Sequence, residues 1–148
     1  MSGDQKMPDI ILVSGGFDPI HGGHIKLIND AYKYGDVVVL LNSDAWLRRK
    51  KGKEFLPFSE RKIIMQNIKG VIDVIEFDDS DKTCVNGIQK AKSLFKNSVI
   101  KFANGGDRNK NSTPEKEFCD KNDIESLFGI GGNNKSNSSS LILKKWKE

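Results

Sequence analysis

The 148-residue sequence is poor in sulfur, poor in histidine and without any long apolar run. Its two cysteines, Cys84 and Cys119, form no Cys-x-x-Cys pair. That pattern argues against a disulfide framework or a cysteine zinc site and for reduced structural thiols. No apolar stretch approaches the roughly 20 residues that cross a bilayer, and the polar start, residues 1–6, lacks the apolar core of a secretory signal. A soluble, cytoplasmic protein with no membrane partner is expected. Strong charge of one sign is also missing. The 24 Lys+Arg and 20 Asp+Glu leave a net +4, evenly scattered, which by itself does not argue for nucleic-acid binding.

What is present is concentrated. Hydrophobic residues make up 36% of the chain and fall in runs, so it should fold; its length suits one core. No internal repeat or interdomain linker is visible. The reading is a single domain over residues 1–148, with a flexible N-terminus at 1–8 and a flexible polar loop at 129–137.

Residues 9–14 form a continuous apolar run stopped by Gly15-Gly16, the pattern of a strand buried on both faces. Ile25, Leu27, Ile28, Ala31 and Tyr32 follow at helical spacing, ended by Gly35, and residues 37–41 are a second buried strand. A helical crossover of this length makes the two strands parallel. The alternation continues with a helix over 57–68 that turns Ile63, Ile64 and Ile68 inward, and a strand over 71–77. Val85, Ile88, Ala91, Leu94 and Phe95 mark the next helix, and 98–103 the next strand. Thr113-Pro114 is a cap and first-turn proline opening a helix to Lys121. Residues 124–128 read as a fifth strand, and Ser138-Ser139-Ser140 as the cap of a last helix carrying Leu141, Ile142 and Trp146. This is an α/β, Rossmann-like, doubly wound parallel sheet sandwiched by helices. Such sheets bind ligands beyond the carboxyl ends of their strands. Gly15-Gly16-Phe17-Asp18, Asn42-Ser43-Asp44 and Asn104-Gly105-Gly106-Asp107 should therefore share one rim.

The strongest local signal is Gly15-Gly16-Phe17-Asp18-Pro19-Ile20-His21-Gly22-Gly23-His24, which holds the only two histidines of the chain. Its glycines let backbone N–H groups approach a phosphate, and a helix start adds a favourable dipole. Each imidazole can donate to phosphate oxygens or to charge developing at phosphorus. Two competing readings are a metal pair, for which His-x-x-His lacks a third ligand, and a plain glycine-rich turn. A second signal is the basic run Arg48, Arg49, Lys50, Lys51 and Lys53, either a solvated surface loop or a phosphate contact.

These residues resemble a known family. Residues 16–24 are similar to the His-x-Gly-His signature of the cytidylyltransferase-like nucleotidyltransferases. Asn42-Ser43-Asp44, the basic run and Ser59-Glu60-Arg61 resemble the middle of heptose-1-phosphate adenylyltransferases and glycerol-3-phosphate cytidylyltransferases. Asn104-Gly105-Gly106-Asp107 and residues 135–140 resemble their later motifs, so the resemblance spans residues 10–143. It implies that a phosphate oxygen of a phosphorylated sugar or polyol attacks the α-phosphorus of a nucleoside triphosphate and expels pyrophosphate. The turns lean toward ATP and a heptose-1-phosphate adenylyltransferase type, with CTP and a polyol phosphate as the alternative.

By the same resemblance His21, His24, Lys51 and Arg61 are the catalytic set. Gly15, Gly16, Phe17, Asp18, Asn104, Gly106, Asp107, Lys135, Ser138, Ser139 and Ser140 meet the nucleotide together with the histidines. Asp18, Asn42, Asp44, Lys50 and Lys53 meet the acceptor. Magnesium is expected to arrive through the nucleotide phosphates without a carboxylate cage, and a homodimer is expected. Two departures bear on the substrate: Lys135 stands where the family usually has arginine, and a lysine cannot make the bidentate contact; Asn104 stands where heptose enzymes often have lysine. A nucleotide- or phosphosugar-binding protein without turnover is the alternative of another class. An RNA-binding relative of class I aminoacyl-tRNA synthetases would need an anticodon domain or a strongly basic face, and the sequence shows neither.

Overall fold

The continuous apolar runs become central strands because each lies between two helical layers. The computed structural model describes residues 7–105, 113–132 and 139–147. Its strands are β1 (Ile10–Gly15), β2 (Asp36–Leu41), β3 (Val71–Glu76), β4 (Ile100–Gly105) and β5 (Glu125–Ile130). They form one parallel sheet in the order β3-β2-β1-β4-β5. The chain steps outward from β1 to β3, then crosses back to place β4 on the other side of β1. The winding therefore reverses between β1 and β4, the position where such sheets open a crevice.

The helices are α1 (Gly22–Tyr32), α2 (Asp44–Lys51), α3 (Phe58–Gln66), α4 (Val85–Leu94), α5 (Pro114–Lys121) and α6 (Ser139–Lys147). Strand side chains alternate between two cores. Ile11, Val13, Val37, Val39 and Leu41 pack with Ile28 and Ala31 of α1 and Met65 of α3. Ile10, Leu12, Val38, Leu40 and Phe102 pack with Ile88 and Ala91 of α4 and Cys119 of α5. Every residue of 37–41 is fully buried, so both faces of β2 contribute, at ~1.5–3 kcal/mol for each large aliphatic side chain. Gly35 joins α1 to β2 so closely that a Cβ there would lie 2.3 Å from the Asp9 carbonyl oxygen. Among the described residues no helix is long and apolar enough to cross a membrane.

The expected elements are present, with four differences. The basic run is not a loop: Asp44–Lys51 is helix α2, capped by Ser43, whose Oγ accepts the Trp46 N–H at 3.0 Å, and closed at Gly52 with φ 88°. Five cations in six positions hide a helix that buries only Leu47. The inward face of α3 is carried by Arg61 and Met65, while Ile63 is 55% exposed. Strand β5 continues to Ile130, so Gly129 and Ile130 belong to the sheet rather than to the expected loop. Strand β4 starts at Ile100, two residues later than expected. The α5 cap is as expected: Thr113 Oγ accepts the Lys116 N–H at 3.1 Å and Pro114 opens the helix. The expectations for residues 1–6 and 133–137 lie outside the described residues.

Candidate active site

The turn after β1 delivers the two histidines to the start of α1. His21 is the N-cap, and its Nδ1 accepts the Gly23 N–H at 3.0 Å. His24 Nδ1 reaches back to accept the His21 N–H at 3.2 Å, so the two imidazoles form a reciprocal capping box. A ring nitrogen that accepts an N–H carries no proton, so each neutral ring holds its proton on Nε2. The rings stack with centroids 3.8 Å apart and planes 24° apart, and Phe17 meets His24 edge-on at 4.9 Å. Burial, then the neighbouring His21, pushes His24 down to about 4, and burial also lowers His21. At neutral pH the site holds two uncharged donors whose Nε2–H groups have no partner among the described residues.

Phe17 and His24 border a cavity of about 440 Å³ at the carboxyl ends of the strands. Gly15, Gly16, Phe17, Asp18, His24, Asn42, Lys50, Lys51 and Ser139 of the expected site line it; His21 stands beside His24 outside the lining. Gly16 is where α2 presses onto the turn: a Cβ would lie 2.7 Å from Leu47 and 3.3 Å from Trp46. Phe17 is buried with a left-handed φ of 49°, which turns the chain so that Asp18 points inward.

Asp18 is 2% exposed and accepts the Phe55 N–H at 2.6 Å and the Leu56 N–H at 2.7 Å. Lys51 pairs with its carboxylate at 3.2 Å and also donates to its carbonyl. The carboxylate thus tethers both Lys51 and the loop after α2. Lys50 holds its ammonium 4.7 Å from the centre of the Trp46 ring. Lys53 is exposed beyond the helix and does not line the cavity.

Arg61 occupies a different position from the open phosphate contact that the sequence suggests. Its side chain is fully buried; Nε donates to Leu56 O at 2.9 Å and Nη1 to Gly16 O and Asn42 O at 3.0 and 2.8 Å. Nη2 meets Asp44 Oδ1 at 2.6 Å. One guanidinium therefore ties the ends of β1 and β2 to α2, and Asp44 is its counter-ion rather than an open acceptor contact. Asn42 is likewise committed, donating to Asp79 Oδ2 at 3.1 Å.

Asp79, which sequence reasoning missed, accepts the Ser43 N–H at 2.8 Å and Ser43 Oγ–H at 2.7 Å, with Arg49 3.7 Å away. It is 4% exposed and lies on the loop after β3, so only tertiary contact reveals its link to α2. Trp46, Lys82, Thr83, Cys84 and Glu115 also line the cavity without having been anticipated.

On the other side of the switch point Asn104 is buried and donates to Leu127 O at 3.3 Å. Ser139 Oγ donates to Pro19 O at 2.7 Å, fastening the start of α6 to the histidine turn. Ser140 follows in the first turn of α6. Gly106, Asp107, Lys135 and Ser138 lie outside the described residues. Among the described residues no group of three His, Cys, Asp or Glu side chains is placed to hold a metal, and Asp18 is occupied by Lys51 and two amides. The described residues do not fit a protein-caged magnesium ion.

A family model described as cytidylyltransferase-like matches residues 12–128. The glycerol-3-phosphate cytidylyltransferase of Bacillus subtilis is 32% identical over 98 residues, 66% of this chain and 70% of that protein. The bifunctional protein HldE of Geobacter sulfurreducens is 28% identical over 144 residues, 94% of this chain and 28% of that protein. The HldE proteins matched are much longer, and the alignments span only 15–28% of their length. The fold is similar to that of a lipopolysaccharide core biosynthesis protein from Thermoplasma volcanium, with TM-score 0.63 and 20% identity over 82% of this chain and 94% of that one.

Proposed function

The chain belongs to the cytidylyltransferase-like family, and on that premise we propose that it transfers a nucleoside monophosphate from a nucleoside triphosphate to a phosphorylated sugar or polyol. An acceptor phosphate oxygen forms a bond to the α-phosphorus, the bond from that phosphorus to the bridging oxygen breaks, and pyrophosphate leaves with the electron pair. No protein nucleophile takes part, so the residues act by positioning and by stabilising charge. The observation that carries this reading is the stacked histidine pair, whose Nδ1 atoms are held by backbone N–H groups while neither Nε2–H donor has a partner among the described residues. Two neutral donors at a helix start suit negative charge that grows on the α-phosphate oxygens. Lys50 and Lys51 supply cationic charge to the same cavity, and Ser139, whose hydroxyl donates to Pro19 O, lines it at the start of α6, where backbone N–H groups suit a phosphate. Magnesium would be held by the nucleotide's own phosphates.

ATP with a heptose-1-phosphate type of acceptor is the leading pair. CTP with glycerol 3-phosphate is the second reading, favoured by the Bacillus subtilis relative. A homodimer in the cytoplasm completes the proposal. The test follows pyrophosphate release from ATP and from CTP with a panel of sugar and polyol phosphates. One pair should turn over, and His24→Ala should raise the barrier by about 2–4 kcal/mol while triphosphate affinity stays within a few fold. Triphosphate binding by calorimetry with no release above the His24→Ala background for any pair would instead identify a binding protein without turnover.

A further inference from the structure

The cavity has a second wall that the histidine chemistry does not use. It is built on the α4 and α5 side of the sheet, whereas His24 stands on α1, which packs against the opposite face. Glu115, in the first turn of α5, reaches this wall and accepts the Cys84 N–H through Oε2 at 3.0 Å. Its carboxylate is thereby oriented, and a carboxylate has more acceptor capacity than one N–H fills. Lys82 lines the wall from the loop before α4, with a left-handed φ of 69° and no ion pair among the described residues. Trp46 lines the cavity from α2, beside Leu47, Lys50 and Lys51.

A carboxylate in a site for triphosphate and acceptor phosphate repels both, so it belongs beside the uncharged part of a substrate. An ammonium-bearing tail would meet Lys82 on the same wall, and the Trp46 ring that could receive a cation already has Lys50 at 4.7 Å. Vicinal hydroxyls fit without conflict: they donate to Glu115, accept from Lys82, and lay their C–H face on indole. We infer that Trp46, Lys82 and Glu115 form the acceptor-specificity end of the site, selecting a phosphorylated molecule with a neutral, polyhydroxylated tail over one with an ammonium tail. This inference rests on the proposed nucleotidyl transfer for its phosphate end, and its test does not depend on turnover.

Calorimetry on the full chain, with mannose 1-phosphate, glycerol 3-phosphate, phosphoethanolamine and inorganic phosphate as probes, reads the tail directly. A hydroxylated phosphate should bind at least about tenfold more tightly than phosphoethanolamine or inorganic phosphate, as one charge-assisted hydrogen bond allows. Glu115→Gln keeps an oxygen for the Cys84 N–H, so its melting temperature should hold while the preference for a hydroxylated phosphate over inorganic phosphate falls about tenfold. Lys82→Met should weaken hydroxylated phosphates and leave triphosphate affinity within twofold. Equal binding of all four probes, or unchanged preference in both variants, overturns the specificity wall. Absence of pyrophosphate release from a protein that still shows the preference overturns the transfer reaction alone.

Discussion

His21 and His24 hold each other through the backbone: the main-chain N–H of His21 donates to His24 Nδ1 at 3.2 Å while the His21 ring caps Gly23 at 3.0 Å. One helix start therefore sets the tautomer, the stacking and the proton affinity of both rings. Placement of two neutral donors follows from local chain geometry and partial burial, and the cations stand on other elements.

His24 should make the fold sensitive to mild acid. In the unfolded chain its imidazole titrates near 6.5, but in the folded chain near 4. Between these values the unfolded state binds more protons, so stability falls as pH drops from 6.5 toward 4 and is unaffected by this ring above that window. After discount for partial exposure the loss is about 2 kcal/mol. Urea unfolding from pH 7.5 to 4 should show a shallower decline for His24→Gln than for the parent, and ring titration by NMR should place His24 well below His21. Identical slopes would show that the ring is not desolvated.

Arg61 should act on stability before it acts on rate. Arg61→Ala leaves three carbonyls, that of Asn42 buried, without their donor and Asp44 without its cation, a loss of about 3–5 kcal/mol. Arg61→Lys should recover little, because an ammonium cannot reproduce the planar fork. Thermal unfolding decides the matter. A stable Arg61→Ala protein with only a raised Michaelis constant would restore the reading of Arg61 as a phosphate contact.

Asp79 should position α2 and hence Lys50 and Lys51. Asp79→Ala removes the acceptor for Asn42, Ser43 N–H and Ser43 Oγ–H together, at about 2–3 kcal/mol. Asp79→Asn keeps one acceptor oxygen and should restore part of that stability. Turnover at saturating substrate should recover in the same order, and recovery of stability without recovery of turnover would deny Asp79 its link to the lysines.

The order of strands and helices was legible because strands buried on both faces need unbroken apolar runs, as in residues 37–41, and because Thr113-Pro114 marks a helix start with local chemistry. Helix α2 was concealed by charge: one buried leucine among four cations gives no apolar stripe, although Ser43 and Gly52 bracket it as cap and stop. The inward face of α3 misled for the opposite reason. Ile63 has the expected chemistry for a core, yet the buried place one turn away is filled by Arg61, which hydrogen bonds make affordable there.

Local sequence determined the histidine turn by itself, since a capping box, a glycine at close approach and a helix start all act within a few residues. The α/β alternation was likewise written in composition along the chain. Which charges meet each other was decided only when β1, β2, the loop after β3, and α5 came to one rim. Asp18 with Lys51, Arg61 with Gly16 and Asn42, Asp79 with Ser43, and Glu115 with Cys84 are contacts between distant segments. Hydrogen bonds and ion pairs of this kind depend on distances of about 3 Å, and a linear pattern carries no such distances.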